Sequence, residues 1–292
     1  MPPRRFVQLD VFAHRPGAGN PLAVVLDGSG LDATTMQAIA RWTRLPETTF
    51  VLPATQADAT HAMRMFSPHR EVPFAGHPSV GTAHAVLEAG LAVPRDGLLV
   101  QEGIAGLLPL RVDGEGDARK IAIRTPRARV VQIGDPGRAP LRQALQGWSL
   151  GALPPALVDG GRRWWLAELA DEATLRAAQP DWPAIAELAR STESMGVCAY
   201  ARCQGQDYDL AVRAFVGASG PFEDAASGAA NAALAAWLAS RDALPGADGR
   251  YVVSQGREVG HDARLHLHVD PNGDIWSGGQ VQTVIRGEID WR

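Results

Sequence analysis

Three ionisable residues have types and settings suited to moving protons. Glu47 lies in RLPETTFVL, between a helical stretch and a strand, with Leu45, Phe50 and Val51 close by. A loop glutamate is ordinarily solvated, but apolar neighbours that partly desolvate it would raise its pKa and suit it to proton transfer near neutral pH. His77, in PFAGHPSVGTA, precedes Pro78 at the head of an apolar segment. Such a histidine either packs at a helix start or holds its imidazole over a cleft. Asp224, in GPFEDAASGAAN, has the position of an ordinary helix N-cap, and Glu223 beside it reads as solvated or as assisting that cap. The three side chains could instead ligate zinc, and nothing in their spacing favours metal over acid-base work.

The elements that position these residues repeat. Two segments, PSVGTAHAVLEAG (78–90) and AASGAANAALAAWLAS (225–240), are small and apolar around nearly their whole circumference, the pattern of a helix buried on all sides. A shift of 147 places Gly81 on Gly228, Ala83 on Ala230, Ala85 on Ala232, Leu87 on Leu234 and His77 on Asp224. Upstream, Arg64 and Phe66 match Arg213 and Phe215 at 149, and Pro73 and Phe74 match Pro221 and Phe222 at 148, so two one-residue deletions join the blocks. Each half therefore reads strand, loop, Pro-Phe, ionisable residue, buried helix. Two such halves are expected to meet at a cleft to which each presents a helix N-terminus, where unpaired N–H groups favour a substrate carboxylate.

Strands dominate the remainder. Val7, Leu9 and Val11 alternate with Gln8 and Asp10, and further strands are predicted at 48–52, 61–66, 97–101, 120–124, 195–203, 208–215, 250–255, 263–269 and 280–289. Short turns between many of them predict antiparallel pairing and an α+β class. Two surface helices are predicted, one capped by Asp32 with Met36, Ile39 and Ala40 on its apolar stripe, one at 183–190 capped by Asp181 with Pro183 in its first turn. Domains are expected at 1–128 and 129–292, with the last strand free to return to the first domain.

Composition limits the function classes. The chain has 292 residues, 28 Lys and Arg against 32 Asp and Glu, and a net charge of -4, with a pI near 6.1. No clustered positive charge suits nucleic acid or an anionic membrane. The two cysteines, Cys198 and Cys203, exclude a disulfide framework and make a weak metal pair. His266 and His268 share one strand face and read as solvated. No phosphate-binding glycine loop, dinucleotide fingerprint or GxSxG elbow occurs. With no signal-like or membrane-spanning stretch, a cytoplasmic protein with a small-molecule partner is expected.

Taken in order, PETTFVLP, PFAGHPSVGTA and EDAASGAA, with DVFAHRPGAGNPLAVVLDG (10–28), SQGREVG (254–260) and SGGQVQTVIRGEI (277–289), resemble the phenazine-biosynthesis PhzF-like proteins of the diaminopimelate epimerase superfamily. The resemblance covers nearly the whole chain. It implies two pseudo-symmetric domains, each a mostly antiparallel sheet wrapped around a central buried helix, an active site between them, a homodimer, and no metal or organic cofactor. It implies Glu47 as general acid/base, His77 and Asp224 as a supporting pair, and Gly76, Ser227 and Gly228 as positions around the substrate. The chain departs from the family's Asp-Pro-Ala-Thr-Gly-Ser with Asp224-Ala225-Ala226-Ser227-Gly228-Ala229, from a usual Ala-Pro with residues 216–220, and from a more polar helix at Trp42.

A single carboxylate suits a double-bond isomerisation, in which Glu47 removes a proton from one carbon and the conjugate acid reprotonates another. The expected function is a cofactor-independent isomerase of a small carboxylate. Alternatives are a racemase or epimerase of an amino-acid-like substrate and a non-catalytic small-molecule binder. Inversion by two thiols, as in the epimerase relatives, does not fit cysteines that lie away from both helix starts.

Overall fold

The computed structural model describes residues 2–134, 139–218 and 220–291. The chain divides into two compact units, Met1–Arg124 with Gly278–Arg292, and Thr125–Ser277.

In the first unit, β1 (Arg4–Val11) pairs antiparallel with β2 (Asn20–Val25), Leu9 opposite Leu22. Helix α1 (Ala33–Thr43) then carries the chain over to β3 (Glu47–Leu52), which lies parallel to β2 with Leu22 in register with Glu47. β4 (His61–Phe66) returns antiparallel to β3, and α2 (Gly76–Glu88) carries the chain to β5 (Leu98–Gly103), parallel to β4. β6 (Gly106–Asp113) and β7 (Lys120–Arg124) continue antiparallel. The strand Val281–Ile289 pairs antiparallel with β1 on its other side.

Each helix forms for a local reason. Asp32 accepts the Thr35 N–H at 2.7 Å and starts α1, whose Met36, Ile39 and Ala40 pack with Val25, Phe50 and Phe66. Arg44, in the left-handed region at φ 55°, ends it. Every residue of α2 from His77 to Val86 is buried, and the helix touches β1, β2, β3, β7 and the C-terminal strand. Gly81 permits that approach, since a Cβ there would lie 2.5 Å from Leu22 Cδ2.

The second unit repeats the plan. Its elements are β8 (Arg129–Ile133), α3 (Ala139–Ala144), β9 (Ala156–Asp159), β10 (Arg163–Glu168), α4 (Glu172–Ala177), α5 (Trp182–Thr192), β11 (Gly196–Arg202), β12 (Leu210–Val216), β13 (Phe222–Asp224), α6 (Gly228–Ala239), β14 (Arg250–Gln255), β15 (Ala263–Val269) and β16 (Ile275–Gly279); β17 is Val281–Ile289. Strands pair in the order β8, β9, β10, β11, β12, β14, β15, with β10–β11 and β12–β14 parallel and the others antiparallel. The same sequence of directions runs from β17 through β1 to β6. Helix α6 lies against β8, β9, β10 and β15. Thr48 faces Phe66 in the first unit and Val197 faces Phe215 in the second, the 149-residue offset of the Arg-x-Phe match.

The sheets are mostly antiparallel, as short turns between many strands predicted, with parallel pairs at β2–β3, β4–β5, β10–β11 and β12–β14. Parallel neighbours need a crossover, and α1 and α2 supply it in the first unit, α5 and α6 in the second. Strands β2, β6, β8, β9, β10, β13 and β16 lie outside the predicted set. In β10 the segment Trp164–Glu168 is buried without interruption, so no alternation marks it. No helix is long and apolar enough to cross a membrane among the described residues.

Candidate active site

Glu47 opens β3 directly after Pro46, and its side chain is 15% exposed. Two residues along on the same strand face, Thr49 Oγ1 lies 2.8 Å from Thr82 Oγ1 of α2, both side chains fully buried. This hydroxyl pair ties the helix to the strand that carries Glu47. His77 is the second residue of α2 and is buried.

His77 Nε2 stands 3.4 Å from Glu47 Oε2, outside hydrogen-bond geometry. Burial drives the imidazole pKa down to about 3, against a smaller opposing effect of a hydrogen bond to the Pro21 backbone. Proline offers only its carbonyl, so that bond takes the ring N–H, and it uses Nδ1 because Nε2 has no hydrogen-bond partner. The ring is therefore neutral at pH 7, with Nε2 3.4 Å from the carboxyl group. Gly76 begins the helix beside it, and the N-cap, Ala75, provides no side-chain acceptor to the first turn.

In the second unit Asp224 ends β13 and its Oδ1 accepts the Ala226 N–H at 3.2 Å. The N-cap of α6 is Ser227, whose hydroxyl accepts the Ala230 N–H at 3.4 Å, so Asp224 is not the cap its position suggested. The turn between them is held from outside. Gln255 Nε2 donates to the Asp224 carbonyl at 2.8 Å, and its Oε1 accepts from Ser227 N at 3.2 Å and from Asn231 Nδ2 at 2.8 Å. Asn231 Nδ2 also donates to the Ser227 carbonyl at 2.9 Å. Gln255 and Asn231, both fully buried, hold the turn that carries Asp224 and Ser227, and the sequence analysis singled out neither. Gln255 stands inside the SQGREVG segment, the one signal that could have found it.

Glu223 is neither solvated nor a cap. Its carboxylate takes two hydrogen bonds from Arg213, Nε to Oε1 at 3.0 Å and Nη2 to Oε2 at 2.8 Å, and both side chains are about 5% exposed. Arg213 Nη1 also donates to the carbonyls of Leu175 and Ala178 at the end of α4.

The structure thus brings Glu47, Gly76 and His77 together in the first unit, and Asp224, Ser227 and Gly228 together in the second. Gly228 is buried and Ala229 exposed at the head of α6. Ser219, in the segment 216–220, lies outside the described residues. Cys198 is fully buried, and burial pushes both its thiol and that of Cys203 up to about 12, so neither is a thiolate at neutral pH. Among the described residues, no group of three or more His, Cys, Asp and Glu side chains is placed to hold a metal ion.

Solved structures share this architecture. A PhzF-family phenazine biosynthesis protein of Bacillus anthracis matches with a TM-score of 0.83 at 23% identity, all of both chains being covered. A probable proline racemase of Agrobacterium radiobacter matches with a TM-score of 0.66 at 14% identity, over 99% of this chain and 93% of that one. These likenesses show the fold, which this chain shares with both proteins. In sequence, the Schizosaccharomyces pombe protein named antisense-enhancing sequence 1 is 30% identical over 97% of both chains. The trans-2,3-dihydro-3-hydroxyanthranilate isomerase of Pseudomonas aeruginosa is 31% identical over 95% of this chain and 94% of that one. The model of the phenazine biosynthesis-like proteins matches residues 9–287, and the chain belongs to this family, PhzC-PhzF, whose named members include several isomerases.

Proposed function

We propose that the protein is a cofactor-independent isomerase that moves a proton and a double bond in a small, cyclic or amino-acid-like carboxylate. The observation that carries this is the Glu47 carboxyl set 3.4 Å from the neutral His77 imidazole. Glu47 takes a proton from a carbon next to the substrate's double bond, and the electron pair spreads into the conjugated carboxylate. The resulting carboxylic acid then delivers the proton to the far carbon, so the double bond shifts and no hydrogen is gained or lost. While Glu47 holds the proton, the lone pair of His77 Nε2 accepts its O–H. Asp224 acts as the second supporting group, Gly76 and Gly228 contribute backbone donors to the substrate carboxylate, and Ser227, whose N–H is given to Gln255, flanks it.

The relative from Pseudomonas aeruginosa makes trans-2,3-dihydro-3-hydroxyanthranilate the first compound to try. Proton NMR in heavy water is expected to show deuterium uptake with a shifted double bond. Glu47→Gln is expected to slow that turnover by about 10²–10⁴-fold, the range of general acid-base catalysis. Undiminished turnover in the variant would remove Glu47 from the role. Deuterium at an inverted stereocentre without double-bond movement would instead identify a racemase. Family resemblance also supports a cytoplasmic homodimer, which sedimentation of the purified chain would test.

A further inference from the structure

β17 (Val281–Ile289) pairs antiparallel with β1 along one side. From Val284 to Glu288 every residue in turn is exposed, and Val284 and Ile285 are each about half exposed. A strand with one covered face alternates between buried and exposed, and a strand flanked by two neighbours hides its backbone. The unbroken run therefore marks β17 as a free edge of the first unit's sheet.

The direction of the free backbone groups follows from β1. Arg5 offers its carbonyl to the Leu26 N–H at 2.9 Å, on the β2 side. The next residue, Phe6, therefore turns its backbone groups the other way, to its register partner Gly287. Gly287 bonds inward, and its neighbours Arg286 and Glu288 hold their N–H and C=O groups outward along the free edge. Arg286 Nη2 donates to Glu88 Oε2 at 3.1 Å, at the end of α2, which puts the side chains of Arg286 and Glu288 on the α2 face. Ile289 packs with Met36 and Ile39 of α1, which puts Ile285 and Gly287 on the α1 face.

Sheet edges are commonly blunted by lysines, whose like charges repel a second copy. Here two opposite charges flank a glycine, an arrangement that attracts one. In an antiparallel pair of β17 strands related by a two-fold axis at Gly287, Arg286 faces the partner's Glu288, and Glu288 faces the partner's Arg286. These are also the residues whose backbone groups point outward, so each opposed pair exchanges both of its N–H···O bonds. The two copies of Gly287 meet at the close, non-hydrogen-bonded position, and around each the space that a Cβ would fill is open. An axis at Arg286 or at Glu288 would oppose like charges, and an axis between two residues would set outward groups against inward ones.

We propose that two copies of this chain associate edge to edge through β17, with the two-fold axis at Gly287. This rests on the homodimer reading above and gives that dimer its surface.

Sedimentation of the full chain tests it with Arg286→Glu and Glu288→Arg, both at exposed positions outside the proton-transfer site. The first sets carboxylate against carboxylate across the axis and the second guanidinium against guanidinium. Each is expected to dimerise at least about tenfold more weakly than the unaltered chain. An equimolar mixture of the two variants is expected to recover the dimer, because every opposed pair is then of opposite sign, and a misfolded variant would not recover it. Glu288→Pro removes an outward N–H while leaving the bonds to β1, and is expected to be monomeric where the unaltered chain is dimeric. A dimer unchanged in all three variants would overturn this surface and leave the homodimer standing. A monomeric unaltered chain would overturn both, and weakened variants that fail to recover on mixing would overturn the placement of the axis.

Discussion

The two units share strand order, crossover helices and an arginine laid over a phenylalanine, yet they differ at the position where a base would stand. The first residue of β3 is Glu47, and the first residue of β11, at the 149-residue offset, is Gly196. Gly196 has φ +146°, and a Cβ there would lie 2.0 Å from the Phe215 carbonyl oxygen, so that backbone admits no side chain. One copy carries the carboxylate and the other is closed to it. A duplicated scaffold can therefore keep its packing twice and, on the function proposed above, its proton chemistry once. The helix starts diverge in the same sense. Helix α2 is already helical at Gly76, whereas the corresponding stretch before α6 is a strand and a turn pinned by Gln255 and Asn231.

The shared arginine also sits in two settings. Arg64 is paired to both oxygens of Glu71 with side chains 30% and 25% exposed, while the Arg213–Glu223 pair is 6% and 5% exposed. Breaking a buried pair leaves a charge without compensation, whereas half-exposed charges recover water. Arg213→Met is expected to destabilise by about 3–5 kcal/mol, and Arg64→Met by about 1 kcal/mol or less, as read by urea denaturation. Equal losses would show that the two copies are energetically alike despite their burial. Gly196→Ala ranks next, at about 2–3 kcal/mol from the crowding and the unfavourable φ. A neutral result would mean that β11 can make room for a side chain, and the closure of the second copy would lose its physical basis.

Acid should separate the units further. His77 and His61, both in the first unit, are held below the ordinary histidine pKa of about 6.5 by burial, at about 3 and about 4. The unfolded chain binds these protons first, so their stabilising contribution is complete above pH 6.5 and is lost as pH falls toward the folded values. Each histidine is expected to cost up to about 1.4 kcal/mol per pH unit over that window. Hydrogen exchange at pH 4.5 and pH 7 should show amides of β3, β4 and α2 losing protection before those of β11, β12 and α6. Uniform loss would contradict the assignment to these two side chains.

Much of this comparison was legible in the residues themselves. Two all-round apolar helices, the Arg-x-Phe and Pro-Phe matches and the Asp32 and Asp181 caps are local patterns, and local patterns survive in sequence. The motif around Glu47 and the one around His77 marked both members of the pair that the fold brings together. What escaped depends on partners far along the chain. Gln255 reaches back to Ser227, and Arg213 to the end of α4, through hydrogen bonds that no spacing encodes. Asp224 was misplaced as a cap because Ser227, three residues on, competes for the same role and wins through its bond to Ala230. The parallel pairings were hidden because α1 reads as an ordinary surface helix until its flanking strands are seen side by side.

The pairing of Arg4 with Ile289 and of Val11 with Val281 has a consequence for synthesis. During translation β1 emerges early, but the neighbour on one of its sides is not made until residues 281–289 follow. The second unit is one continuous stretch, Thr125–Ser277, and all its strands can pair before that moment. The unit begun first on the ribosome is thus the one finished last, and in the interval β1 presents an open edge that a chaperone or another nascent chain can meet.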